Sequence, residues 1–122
     1  MTEGRTTVVH VNDGYDVYIG RAVGRKGLKG SPWANPFKVT LAMRMWGLSP
    51  EEARSKVIEL YRDWVQSSRH PRAAWIRKHV QELAGKRLGC WCKPEDGFRG
   101  RLLCHGQILA GLVDCVAPED VE

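Results

Sequence analysis

Gly89-Cys90-Trp91-Cys92 and, after eleven intervening residues, Cys104-His105-Gly106 place three of four cysteines and one of four histidines inside sixteen residues. Lys86 to Cys92 reads as a strand; side chains alternate with period two there, so Cys90 and Cys92 share a face. A helix from about Leu103 to Val113 puts Cys104 and His105 in its first turn. Unpaired N–H groups and the helix dipole at that turn favour a thiolate or an anionic ligand. Two thiols at a strand end facing a thiol and an imidazole at a helix start make a site rather than a stretch of core.

The rest of the chain reads as one small α/β domain over residues 1–122, with its core at about 6–113 and an acidic tail at 114–122. Thr6 to Val11 and Asp16 to Gly20 are short strands separated by the turn signal Asn12-Asp13-Gly14. Lys38 to Trp46 is either a short strand or a helical turn. Ser49-Pro50-Glu51-Glu52 starts a helix, with serine as N-cap, proline at the first helical position and glutamate completing a capping box. Ala53, Val57, Leu60, Tyr61 and Trp64 give that helix one apolar stripe. Pro71 opens another, with Trp75, Ile76, His79, Val80 and Leu83 inward and Gly85 as its stop. Strands, then helices, then a strand, then a helix predict a partly parallel sheet flanked by three main helices. Ligands gather at the carboxyl ends of such strands, where both candidate loops begin.

The formal charge is +5, and no acid lies between Asp16 and Glu51, whereas Arg21, Arg25, Lys26, Lys29, Lys38 and Arg44 all do. A segment polarised in this way favours a phosphate-bearing partner, either a small molecule or nucleic acid. Glycines of the 20–30 loop can turn N–H groups inward on an anion, with Arg21 and Arg25 as forked donors. No nucleoside-triphosphate loop motif is present. Ser31-Pro32-Trp33-Ala34-Asn35-Pro36-Phe37 follows, in which Trp33 and Asn35 suit either a base or the pinning of the loop. No stretch approaches the length of a membrane span, so no membrane partner is expected.

Cys90, Cys92, Cys104 and His105 form the ligand set of a Cys₃His zinc site. Residues adjacent on a helix project about 100° apart, so a three-thiol site with an open position is geometrically easier. Cys104 can instead be an acidified nucleophile with His105 as its base, and the adjacency favours this metal-free case. Cys115 reads as an ordinary buried cysteine.

Val17-Tyr18-Ile19-Gly20-Arg21, the Ser31 to Phe37 stretch, Tyr61-Arg62 with Trp64, Gly85 to Cys92 and Cys104-His105-Gly106 together resemble a bacterial and phage family, the domain of unknown function 4326. Its pattern runs Tyr-x-Gly-Arg, Ser-x-Trp-Gly-Asn-Pro-Phe, Cys-Trp-Cys, Cys-His-Gly. Ala22 to Gly30 and Lys93 to Leu103 lengthen two of its gaps, and Ala34 replaces a common glycine. Because nothing at the start reads as a secretory leader, a cytoplasmic location in a bacterial cell or phage-infected host is expected. The resemblance implies no established activity. It groups Tyr18, Gly20, Arg21, Ser31, Trp33, Asn35, Cys90, Trp91 and Cys92 as a ligand-binding set beside Cys104 and His105. The leading expectation is an enzyme or ligand-binding domain for a nucleotide, nucleoside-like or nucleic-acid substrate. The alternatives are a non-enzymatic, zinc-stabilised nucleic-acid-binding module and a phage-type protein-interaction module.

Overall fold

A computed structural model describes residues 5–94 and 96–121; the other positions of the expected 1–122 domain, and the Lys26 side chain, lie outside the described residues. Three strands form one sheet in the order β1 (Thr7–His10), β3 (Arg87–Cys90), β2 (Val17–Tyr18). Both pairings are parallel, Val8 facing Leu88 and Tyr18 facing Gly89. A parallel neighbour cannot be reached by a tight turn. The helices between β2 and β3 therefore form the crossover, and β3 sits in the centre with its carboxyl end at Cys90.

Four helices accompany the sheet: α1 (Val39–Trp46), α2 (Pro50–Ser67), α3 (Pro71–His79) and α4 (His105–Asp114). The Lys38 to Trp46 segment thus resolves as a helix, one more than the three main helices expected. It stops at Gly47, whose φ of 62° is left-handed and favours glycine. The capping box of α2 is present with both its hydrogen bonds, Glu52 N to Ser49 Oγ at 3.2 Å and Ser49 N to Glu52 Oε1 at 3.0 Å. The buried stripe of α2 is Ala53, Val57, Ile58, Tyr61 and Val65, whereas Leu60 and Trp64 are only half-buried. His70 caps α3 by accepting from Arg72 N.

Helix α4 is wedged between β1 and α2 and is buried almost all round. Gly106 permits that approach: a Cβ there would stand 2.8 Å from Ile19 Cδ1 and 3.0 Å from Val8 Cγ2. Asp114, the first acid of the expected tail, ends α4 and holds Thr6 through its backbone N–H at 2.8 Å and its hydroxyl at 3.0 Å. Cys115 is exposed, not buried: it occupies the left-handed C-cap of α4, which turns the chain outward.

Candidate functional site

The carboxyl end of β3 and the amino end of α4 meet. The sulfurs of Cys90, Cys92 and Cys104 all lie within 4.8 Å of one another. Four local hydrogen bonds hold them. Cys92 N donates to Cys90 Sγ (3.1 Å) and Gly106 N to Cys104 Sγ (3.3 Å). Gln107 Oε1 accepts from Leu103 N (2.7 Å) and Cys104 N (2.9 Å), fixing the residue that caps α4. All four cysteines are free thiols, and Cys90 and Cys104 stand 2.7 Å apart sulfur to sulfur. A zinc ion seated among the three would spread that pair towards the roughly 3.8 Å edge of a Zn–S tetrahedron.

Among the described residues the metal-capable group is these three thiols. His105 is not a member. Its Nε2 lies 2.7 Å from Ile19 O, and a carbonyl only accepts, so Nε2 carries the proton and Nδ1 is the bare acceptor. Burial keeps the ring neutral by lowering its pKa. Among the described residues Nδ1 has no partner, yet no buried side-chain nitrogen or oxygen is left unsatisfied. His105 is buried and helps to line the cleft. The expected Cys₃His set becomes three thiols with an imidazole alongside.

The charge on the thiols also falls differently from the sequence expectation. Burial, then hydrogen bonds with Cys90 and Cys92, raise the Cys104 thiol well above its ordinary value. For Cys90 the Cys104 bond pulls down, but the Cys92 bond and burial together push it up to about 12. Cys92 is pulled down to about 3 by hydrogen bonds from Cys104 and Cys90, with the Arg54 guanidinium also contributing. Cys92 is exposed as a residue, with its sulfur turned in to the cluster. In the metal-free chain negative charge is thus favoured on Cys92 and disfavoured on Cys104.

A cleft of about 250 Å³ opens beside the cluster. Cys92, Cys104, His105, Gly20, Arg21, Arg54 and Trp91 line it, against an apolar wall of Val39, Val57, Ile58 and Leu103. Of the two guanidiniums, Arg21 is largely committed: Nε and Nη2 donate to Asn35 O (3.3 and 2.9 Å) and Nη2 to Phe37 O (2.9 Å). Arg54 makes no side-chain hydrogen bond or ion pair among the described residues and stands by Cys92.

The remaining expected residues divide between lining and scaffold. Trp33 is 5% exposed and packs on Trp75 with ring centroids 4.9 Å apart, so it offers no face to a base. The Asn35 amide is spent, Nδ2 donating to Val57 O and Oδ1 accepting from Phe37 N. Ser31 Oγ accepts from Trp33 N, and Tyr61 and Arg72 tie the same turn through the carbonyls of Trp33 and of Pro32 and Ala34. The Ser31 to Phe37 turn is therefore pinned rather than poised. Tyr18 donates to Arg21 O and accepts from Trp91 Nε1 at 2.9 Å. A Cβ at Gly20 would come within 2.5 Å of Tyr18 Oη, so any larger residue there would have to displace the Tyr18 ring. Arg54 and Gln107 are the site residues that sequence patterning missed. Arg54 had one signal: it precedes Val57 and Ile58 by three and four residues, at the edge of the buried stripe of α2.

The model of a family described as a domain of unknown function, DUF4326, matches residues 4–115. Over 72 residues, 57% of the chain, the sequence is 35% identical to the uncharacterized 12.4 kDa protein in the nrdA-td intergenic region of Enterobacteria phage T4. The match spans 57% of that phage protein's length. No solved structure matches the chain.

Proposed function

We propose that this chain, which belongs to the DUF4326 family, is a metal-centred ligand-binding domain. One zinc ion sits on Cys90, Cys92 and Cys104, and its fourth position opens on the cleft, where a small phosphate-bearing ligand docks beside Arg54. The single observation that carries the reading is three thiol sulfurs within 4.8 Å, two of them receiving backbone N–H bonds. Three protein ligands plus an open position is the arrangement of zinc sites that handle a substrate, whereas structural sites close the fourth position. The hydrogen bonds to sulfur orient the ligands and temper their charge. Three thiolates and a divalent ion leave one negative charge; the guanidiniums of Arg21 and Arg54 turn it into one positive, which suits an anion. His105 Nδ1 offers the ligand an acceptor, and the apolar wall suits a ring or carbon skeleton.

Elemental analysis of the purified protein tests the metal, with one zinc per chain expected and Cys92→Ser reducing it. Titration calorimetry with a nucleoside monophosphate tests the cleft, with Arg54→Ala weakening binding while leaving zinc content unchanged. The low-lying thiol of Cys92 favours a second reading, thiol chemistry without metal. Metal-free protein whose Cys92 alkylates below pH 7 far faster than Cys115 would replace the first reading with the second.

A further inference from the structure

Between β2 and the Ser31 turn the chain leaves the sheet as a narrow finger. Ser31 N donates to Gly20 O at 3.0 Å across its base, and Val23 and Leu28 exchange both backbone hydrogen bonds at 2.9 and 3.1 Å further out. Arg25 and Lys29 are exposed on it, and Arg21 at its root lines the cleft. Among the described residues none of Arg25, Lys29 and Arg54 is paired with a carboxylate. Trp91, on the same cleft, is 40% exposed. Its Nε1–H is held by Tyr18 Oη at 2.9 Å, and the His10 ring meets it edge-on with centroids 5.8 Å apart. An exposed indole fixed in this way presents a ready-made stacking face.

Cations that share a cleft with a fixed aromatic face, as Arg21 and Arg54 do with Trp91, are the combination that binds single strands, since every base has a face to stack and every link a phosphate to neutralise. A duplex offers the phosphates but hides the base faces. We propose that the cleft rim binds single-stranded nucleic acid, Trp91 stacking one base while the finger and Arg54 hold the flanking phosphates. The proposal rests on the cleft reading above only in taking Arg54 as a residue that faces an anion.

Fluorescence anisotropy with a labelled twelve-nucleotide oligo-dT tests it, beside a duplex of equal length and thymidine monophosphate. The single strand is expected to bind more tightly than the duplex and to weaken with salt, with a log–log slope of roughly −0.7 per phosphate contacted. Trp91→Ala should weaken binding roughly tenfold and leave the slope unchanged; Trp91→Phe should restore most of the loss. The double variant Arg25→Glu, Lys29→Glu should flatten the slope for the oligonucleotide and leave the mononucleotide unaffected. Equal affinity for the duplex, salt-insensitive binding, or Trp91→Ala binding like the parent would overturn the proposal. Zinc content measured on the same samples separates the two readings. Metal-free protein with this binding pattern overturns the metal centre alone, and zinc-loaded protein without it overturns the strand-binding rim alone.

Discussion

Gln107→Met probes the strut on which the cluster stands. Gln107 is fully buried and makes four hydrogen bonds. It accepts from Leu103 N and Cys104 N, and donates to Arg101 O (2.8 Å) and Pro118 O (3.2 Å). It thus joins the start of α4 to the chain before it and to the segment after α4. Methionine nearly conserves the volume, so the loss is of hydrogen bonding and not of packing. The bonds to Leu103 N and Arg101 O are only part-buried, so water replaces them at a cost of about 1 kcal/mol or less each. The Cys104 N and Pro118 O bonds are buried, and groups orphaned there cost about 1–3 kcal/mol apiece. The total is about 4 kcal/mol. Unfolding entropy of about 2.1 cal/mol/K per residue makes each kcal/mol worth about 4 °C in a chain of this size, so a fall of about 15 °C is expected. Circular dichroism melts of metal-free protein measure it, and zinc titration should show weaker uptake because Cys104 loses its anchor. A melting temperature within about 4 °C of the parent would refute the claim that this side chain carries the joint.

Two further outcomes follow from the same packing. Gly106→Ala pushes a methyl group against Ile19 and Val8; such overpacking costs about 1–3 kcal/mol, and urea unfolding with no loss would show that α4 can slide. Acid should destabilise the fold in two stages. His105 is held neutral below its ordinary 6.5, so the unfolded chain takes up that proton first and stability falls as pH drops beneath about 6.5. The Asp16 carboxyl, bonded to Arg87 N, is held below 3.8, and its contribution is lost as pH falls through its folded value. Stability flat between pH 7 and 5 would remove His105 from the first stage, and Asp16→Asn should erase the second.

Features set by neighbours in sequence were legible from the sequence, and features set by distant partners were not. The α2 start is an example of the first kind: Ser49, Pro50 and Glu52 satisfy one another within a single turn. Lys38 to Trp46 is ambiguous in sequence because its β-branched start suits a strand, and it is packing against α2, a distant-partner effect, that goes with the helix. Trp33 and Asn35 have residue types that fit both holding a base and pinning a turn. The choice is made by Trp75 and the Val57 carbonyl, on α3 and α2, which no local pattern could supply. The thiols show the same division in their chemistry. A helix start does lower a thiol pKa, and Cys104 does cap α4. Its sulfur, however, is wholly buried with two other thiols beside it, and desolvation outweighs the dipole. The charge settles instead on Cys92, the one cluster sulfur whose residue reaches solvent and whose neighbour is Arg54. An incoming metal therefore finds its most readily ionised ligand in Cys92, with Cys90 and Cys104 giving up their protons as the metal binds.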